Sequence, residues 1–254
     1  MLSKNQAKNL RALHRKKTRR EQGLFLVEGE KVVAELLAAS DWQVQSLYAT
    51  AAFINAYKGL IKQSGVTLVE CSAEELTSVS TLVSNSAALA VVAMPRQAPD
   101  LHLDSNTWIL ALDGINDPGN LGSVLRIADW YGIQQVMCSP TTAEVYNPKV
   151  ITASKGSFLR VAVVYQPLPD FFATLSANTA VLGAYLDGES IHNLQPNPQG
   201  GVILLGSEAQ GISAELAALV TRKITIPAFG AAESLNVGIA AAVICDNLKR
   251  LSSL

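Results

Sequence analysis

Apolar runs typical of strands alternate with amphipathic helical patterns along most of the chain. In the first part, this pattern predicts strands at residues 24–27, 44–48, 66–70 and 89–94, and helices at 3–17, 29–39 and 51–63. The Ser72-x-x-Glu75 pattern is a capping box and predicts one more short helix. The alternation predicts a small α/β domain at residues 1–95.

The alternation resumes after a polar segment, residues 95–106, that contains two prolines. We therefore place a linker at residues 96–106 and a second domain at 107–254. In this domain the pattern predicts helices at 121–131, up to 154 and at 234–251, and strands at 108–112, 135–138, 161–164, 180–185, 202–205 and 223–226. These strand segments are apolar without alternation, which predicts a mostly parallel sheet covered on both faces.

A glycine-rich turn joins the first strand and the first helix of the second domain. Residues 117–126 are D-P-G-N-L-G-S-V-L-R, in which Pro118 and Gly119 are turn formers. A helix beginning near Leu121 would keep Asn120 and Arg126 roughly on one side. An amide and a guanidinium beside such a turn suit an anion or a nucleotide. The alternative interpretation of this segment alone is an ordinary turn with an exposed arginine.

Two later segments extend this motif. Residues 204–213 are L-L-G-S-E-A-Q-G-I-S, and residues 224–237 are I-T-I-P-A-F-G-A-A-E-S-L-N-V. In this order, D-P-x-N-x-G-x-x-x-R, G-x-E-x-x-G and I-P…S-L-N-V resemble the three motifs of the SpoU family. That family comprises S-adenosylmethionine-dependent RNA ribose 2′-O-methyltransferases of the knotted SPOUT class. The resemblance covers roughly residues 109–248 and is more specific than any single motif.

The resemblance implies a fold that periodicity alone does not predict. Residues 107–254 would form an α/β methyltransferase domain with a trefoil knot, whose last helix also helps to build a homodimer. Small residues in that helix would permit close packing; they are Gly238, Ala240, Ala241 and Ala242. The basic N-terminal helix followed by G-L-F-L-V-E-G resembles the ribosomal-protein-like α/β substrate-binding domain that many SpoU enzymes carry.

The resemblance also implies S-adenosylmethionine as the methyl donor, held in a bent conformation by the loops of the second and third motifs. Main-chain groups would supply the hydrogen bonds and small or apolar side chains would form the slot. The positions carried over are Leu205, Gly206, Ile226, Leu235 and Asn236. Viewed singly, each of them also fits ordinary core packing.

Five polar residues match the family's catalytic set: Asn120, Arg126, Glu208, Ser234 and Asn236. Their task would be to position a ribose 2′-oxygen and to help to remove its proton. Arginine is almost never neutral in a protein, so we assign Arg126 to stabilising the developing alkoxide and binding an adjacent phosphate. Glu208 and Asn120 would orient Arg126, and the identity of the proton acceptor stays open.

The charge of the chain is distributed unevenly. The net charge is −1, yet residues 1–20 contain eight basic residues and no acidic one, which leaves 12 basic against 21 acidic residues in the remainder. A basic arm on an acidic body indicates a polyanionic partner, with a solvated tail as the alternative. The predicted RNA-binding residues are Arg126 and the eight of the arm, Lys4, Lys8, Arg11, Arg15, Lys16, Lys17, Arg19 and Arg20.

Composition excludes several other classes of protein. Hydrophobic residues make up 49% and charged residues 16% of the chain, which favours a large buried core over disorder. The apolar runs fall well short of the roughly 20 residues that a membrane span needs. Cys71, Cys138 and Cys245 are scattered, as expected for reduced thiols in a cytoplasmic protein. The three histidines are isolated, so we expect no metal.

Three hypotheses about function remain at this point. The leading one is methylation of a ribose 2′-hydroxyl in RNA, with 23S ribosomal RNA favoured over tRNA because tRNA-specific members of the family typically lack a separate N-terminal domain. A noncatalytic RNA-binding or ribosome-assembly factor of the same fold would not need the five polar residues. A nucleotide-dependent oxidoreductase is disfavoured, because the glycines at 114, 119 and 122 have the wrong spacing for a dinucleotide fingerprint.

Overall fold

The computed structural model describes residues 1–95, 107–195 and 200–252, so the predicted linker at 96–106 lies outside the described residues. The strands are β1 Leu24–Glu28, β2 Val44–Ala49, β3 Thr67–Glu70, β4 Ala88–Ala93, β5 Trp108–Asp113, β6 Gln135–Cys138, β7 Ala162–Tyr165, β8 Val181–Ser190, β9 Gly201–Gly206 and β10 Arg222–Thr225. The helices are α1 Lys4–Ala12, α2 Lys16–Gln22, α3 Glu30–Ala38, α4 Ala51–Ala56, α5 Lys58–Ser64, α6 Ala73–Val79, α7 Pro118–Trp130, α8 Pro148–Ser154, α9 Leu168–Ala173, α10 Ala214–Ala217 and α11 Val237–Ser252.

The chain divides into two compact units. One comprises Met1–Gln97 with Tyr146–Leu159, and the other comprises Ala98–Val145 with Arg160–Leu254. The segment Tyr146–Leu159, which the sequence analysis assigns to the second domain, is therefore part of the first unit. Aromatic packing explains its place there, because the ring of Phe25 in β1 lies 4.6 Å from that of Tyr146 and 6.1 Å from that of Phe158.

The first unit is built on a four-stranded sheet in the order β1-β4-β2-β3. β4 is antiparallel to both of its neighbours, whereas β2 and β3 are parallel. Leu10 and Leu13 in the N-terminal segment are buried against Leu26, Tyr48 and Leu89 of this sheet. The basic N-terminal segment is thus anchored by its apolar side chains.

The prediction of a single helix at residues 3–17 is wrong, because the chain breaks between α1 and α2. The break leaves the carbonyl groups of Leu13 and His14 outside regular helical bonding. The side chain of Arg19, which is only 1% exposed, turns back and donates from Nη1 to both carbonyls, at 3.1 and 2.8 Å. The predicted helix at 51–63 is likewise divided at Tyr57 into α4 and α5.

The second unit contains a six-stranded sheet in the order β10-β8-β9-β5-β6-β7, and all of its pairings are parallel. The predicted mostly parallel sheet is confirmed. β5 and β9 are neighbours near its centre, and the following strands lie on opposite sides of them. This is a topological switch point, where the loops leaving the carboxyl ends of two neighbouring strands diverge and open a crevice. Two helices of the unit, α9 and α10, were not predicted, because they are too short to show a helical period.

Helix α11 packs along α7 beside this crevice. At Gly238, an added Cβ would lie 3.3 Å from Cβ of Ser123, so the small residue sets how closely the helices approach. Further along, the Tyr131 hydroxyl donates to Asp246 Oδ1 at 3.2 Å. Across the described parts of the chain, every helix is too short or too polar to traverse a bilayer.

Candidate active site

Three side chains, one from each sequence motif, meet in one hydrogen-bonded network. Asn120 donates from Nδ2 to Glu208 Oε1 at 3.0 Å. Asn236 donates from Nδ2 to Asn120 Oδ1 at 2.8 Å and to the same Glu208 oxygen at 3.0 Å. The network therefore uses one carboxylate oxygen of Glu208. Within the described ranges the other oxygen, Oε2, has no protein partner and is open to a further donor.

Helix capping positions two members of this network. Asp117 caps α7 by accepting a hydrogen bond from the Asn120 N–H at 2.9 Å, and Pro118 occupies the first turn. Asn236 precedes α11, and its Oδ1 accepts from the Gly238 N–H at 2.9 Å. Each asparagine side chain thus leaves a helix start in a fixed direction, towards the same carboxylate.

A tight loop after β9 carries Glu208. The main chains of Ser207 and Gly211 exchange two hydrogen bonds of 3.1 and 2.8 Å, and Gly211 has a φ of +66°, in the left-handed region that favours glycine. The loop presses on Gly206, where an added Cβ would lie 2.1 Å from the Gly211 carbonyl carbon. No side chain fits there, which gives a physical reason for glycine at this position.

The same loop is tied to the end of β5. Asp113 accepts a hydrogen bond through Oδ2 from the Ser213 N–H at 2.8 Å. Neither Asp113 nor Asp117 was among the predicted site residues. An Asx residue just before a proline at a helix start could have indicated Asp117. The role of Asp113 depends on a contact 100 residues away, for which the sequence carries no local signal.

A cavity of about 720 Å³ lies beside the network, between the loop after β9 and the segment from β10 to α11. Four predicted cofactor-binding residues line it, together with the predicted catalytic residues Glu208 and Ser234; the four are Leu205, Gly206, Ile226 and Leu235. Asn236, Asn120 and Arg126 are not among its lining residues. Asn236 and Asn120 nevertheless donate hydrogen bonds to Glu208, which lines the cavity.

Arg126 is exposed on α7 and makes no hydrogen bond or ion pair with residues 1–95, 107–195 or 200–252. The prediction that Asn120 and Arg126 share one side is wrong. Because α7 begins at Pro118, both residues lie inside the helix, and six residues at about 100° each place them roughly 120° apart around its axis. Asn120 and Glu208 therefore do not orient Arg126 in this structure. They are hydrogen-bonded to each other instead.

The basic N-terminal arm divides into exposed and buried members. Seven of its eight predicted RNA-binding residues are exposed, and Arg19 is buried. The prediction that Arg19 contacts RNA is wrong. Its buried guanidinium instead donates to two main-chain carbonyls at the break between α1 and α2, which makes it a structural residue. Arg11 donates from Nε to the Ser78 carbonyl at 3.0 Å, and Arg15 lies outside α1, at the start of α2.

The cysteine thiols lie in the protein interior. All three cysteines are free and buried, and burial raises the pKa of Cys245 to about 12, so this thiol stays protonated and unreactive near neutral pH. Burial also raises the pKa of Tyr185 on the cavity wall, with a smaller contribution from Asp187. No group of three or more potential metal ligands occurs among the residues that the structure describes.

Comparison with known proteins identifies the family. Residues 107–246 match the SpoU rRNA Methylase family, and residues 4–90 match the MRM3-like substrate binding domain. The chain belongs to the SpoU rRNA methylase family. The three motifs on which the resemblance rests all lie inside the matched range.

Three similar proteins match nearly the whole chain. The 23S rRNA (guanosine(2553)-2′-O)-methyltransferase RlmP of Bacillus subtilis is 29% identical, over 97% of this chain and 97% of its own. A putative RNA methyltransferase of the TrmH family from Porphyromonas gingivalis is 38% identical, with a TM-score of 0.86 over 98% of this chain and 99% of its own. The SpoU methyltransferase AviRb from Streptomyces viridochromogenes, solved with AdoMet, is 25% identical, with a TM-score of 0.85 over 98% of both chains.

Proposed function

We propose that this protein transfers a methyl group from S-adenosylmethionine to a ribose 2′-hydroxyl of RNA, with 23S ribosomal RNA as the substrate. The observation that carries the proposal is the network of Asn120, Glu208 and Asn236, which joins the three family motifs at the wall of one cavity. The Bacillus subtilis relative, which matches 97% of this chain, is named for this reaction on 23S rRNA.

The cavity fits S-adenosylmethionine. Its volume of about 720 Å³ is in the usual range for small-molecule sites, roughly 300–1,000 Å³. At Gly206 any side chain would clash with the loop at Gly211, so the main chain itself forms this part of the wall. We assign Leu205, Gly206, Ile226 and Leu235 to binding of the donor, and Asn236 to fixing the loop that carries Leu235. The described residues offer no metal cluster, and the proposal requires none.

When bound, S-adenosylmethionine supplies a methyl group on a sulfonium, which is already a good leaving group. The residues of this chain then have to place the ribose 2′-oxygen in line and to stabilise the charge that develops on it. Arg126 is exposed and unpaired among the described residues, so its guanidinium is free to bind a phosphate of the RNA and to face the developing alkoxide. Ser234 lines the cavity, where its hydroxyl can bond to the donor or to the ribose.

Glu208 has two distinct tasks in this proposal. Its Oε1 accepts a hydrogen bond from each asparagine and so holds the three motif segments together. Glu208 is exposed, and its Oε2, which lacks a partner in the described parts of the chain, can accept a hydrogen bond from the ribose hydroxyl. Asn120 and Asn236 hold this carboxylate in place and so act as positioning residues.

The N-terminal unit supplies the RNA-binding surface in this proposal. Its match to a substrate binding domain and its exposed basic arm both support this assignment. We place that domain at residues 1–95 and the methyltransferase domain at 107–254, of which Tyr146–Leu159 packs in the first compact unit. The finer features that the family implies belong to the same proposal: the ribosomal-protein-like fold of the first domain, a trefoil knot in the second, a homodimer, and a cytoplasmic location.

The deciding experiment maps ribose methylation in total RNA from the source cells, with and without this gene. Loss of one 2′-O-methyl group from large-subunit rRNA supports the proposal, and restoration by the wild-type gene but not by an Arg126→Ala variant ties it to this site. Loss of a tRNA methyl group instead would support the proposed reaction and contradict the proposed rRNA substrate. An unchanged map, with the protein expressed, favours the noncatalytic assembly factor.

A further inference from the structure

Phe229 is an apolar residue in an unusual place. It belongs to the segment between β10 and α11 that carries Ile226, Ser234 and Leu235, and it lines the same cavity as they do. Its side chain is nevertheless 93% exposed. Phe229 therefore stands on the rim of the cavity, with its ring open to solvent.

Most aromatic side chains in the described residues are at least partly buried. Among the described residues, the large hydrophobic side chains that are exposed include three aromatic ones, Trp130, Tyr165 and Phe229. Tyr165 is only 37% exposed and donates its hydroxyl to the Ala143 carbonyl. Trp130 ends α7, roughly 15 Å along the helix from Asn120. Phe229 is the one of the three that lies on the cavity.

The chemistry of the substrate explains why an aromatic ring is useful at this rim. The reacting hydroxyl is on C2′ of the ribose, and the base is attached to the neighbouring carbon, C1′. Bringing the 2′-oxygen to the network therefore places a base against the adjacent protein surface. Proteins that bind unpaired RNA bases commonly stack them on aromatic side chains, because every base has a π-face.

We propose that Phe229 stacks on a base of the RNA substrate at the mouth of the cavity and so positions the ribose for methylation. This inference rests on the proposed function. It concerns substrate binding, not donor binding, because a ring that is 93% exposed does not enclose the interior of the cavity.

The test compares four variants of the full chain: Phe229→Ala, Phe229→Leu, Phe229→Tyr and Phe229→Trp. For each, the Kd for an in vitro transcript of large-subunit rRNA, the KM and kcat of methyl transfer, and the Kd for S-adenosylmethionine are measured. We expect the Ala and Leu variants to bind RNA about 5- to 150-fold more weakly, the range expected when one base no longer stacks on an aromatic ring. The Tyr and Trp variants keep a ring and should retain RNA binding, and all four should bind the donor as the wild type does.

Several results would overturn the inference. RNA binding by Phe229→Ala at the wild-type level would show that no stacking occurs, and full rescue by Phe229→Leu would show that apolar surface suffices. A parallel loss of donor affinity would make Phe229 part of the donor site. A shift of Phe229→Ala to a smaller species in sedimentation would show that a second copy of the chain covers the ring. If the wild type transfers no methyl group, the proposed function fails, whereas the RNA Kd still decides the role of Phe229.

Discussion

Asn236 donates a hydrogen bond of 2.8 Å from Nδ2 to Oδ1 of Asn120, a residue 116 positions earlier in the chain. The same Asn236 amide donates to Glu208, and its own oxygen accepts from the Gly238 N–H. One side chain thus connects the starts of α7 and α11 with the loop after β9. This arrangement makes the amide of Asn236 the most informative group to alter.

Asn236→Asp removes both donors while keeping the shape of the side chain and the oxygen that accepts from Gly238. It also places a second carboxylate beside Glu208, and like charges at this distance repel. We expect methyl transfer to fall at least about 100-fold, since the network no longer holds the carboxylate in place. Because the residue is exposed, the free energy of unfolding should fall by only about 1 kcal/mol. Near-normal methylation by this variant would contradict a positioning role.

Gly206→Ala tests the close approach of the loop after β9. The added methyl would lie 2.1–2.3 Å from main-chain atoms of Gly211 and Ile212, so the loop must move. We expect a loss of about 1–3 kcal/mol of stability and a marked loss of affinity for S-adenosylmethionine, measured by thermal unfolding and calorimetry. Gly230→Ala is the matched control, because Gly230 rims the same cavity and has nothing within 4 Å of an added Cβ. Equal effects of both variants would rule out the steric argument.

Much of the site could be predicted because its residues are carried by short motifs. Glu208, Ser234 and four apolar or glycine positions were selected from the second and third motif segments, and the structure places all six on one cavity. Local chemistry was also informative at Ser72, whose predicted capping box with Glu75 is present at the start of α6. The strand order was not predictable, because the apolar pattern of a buried strand is the same whichever neighbour it has.

Other features depend on interactions that no local pattern records. The break between α1 and α2 is stabilised by Arg19, five and six residues beyond the carbonyls that it satisfies, so basic spacing alone misassigned this residue to RNA. The relation of Asn120 to Arg126 was mispredicted because the Asp117 cap and Pro118 start α7 three residues earlier than expected. In both cases side-chain hydrogen bonds at a helix end changed the outcome.

Arg126→Ala should abolish methylation while leaving the affinity for S-adenosylmethionine nearly unchanged. The side chain is exposed, does not line the cavity and pairs with nothing in the described residues, so its removal should not disturb the fold. Arg126→Lys keeps the positive charge without the planar fork and should recover only part of the activity. Methyl transfer and calorimetric donor binding are measured on both. A loss of donor affinity equal to the loss of activity would make Arg126 a structural residue.

The basic arm offers a test that separates charge from structure. Replacing Lys4, Lys8 and Lys16, all exposed, with glutamine should weaken RNA binding. It should also make the dependence of log Kd on log salt less steep, by roughly 0.7–0.9 for each phosphate that the protein no longer neutralises. Thermal stability and donor binding should stay at wild-type levels.

Arg19→Gln is the contrasting change, because it removes one charge from the same arm but from a buried position. The shorter amide cannot reproduce the guanidinium that donates to Leu13 and His14, and it leaves one buried and one partly buried carbonyl without their donor. We expect a loss of about 1–3 kcal/mol in the free energy of unfolding. The salt dependence of RNA binding, measured well below the unfolding temperature, should not change. An unaltered melting temperature combined with a shallower salt slope would instead return Arg19 to the RNA-binding surface.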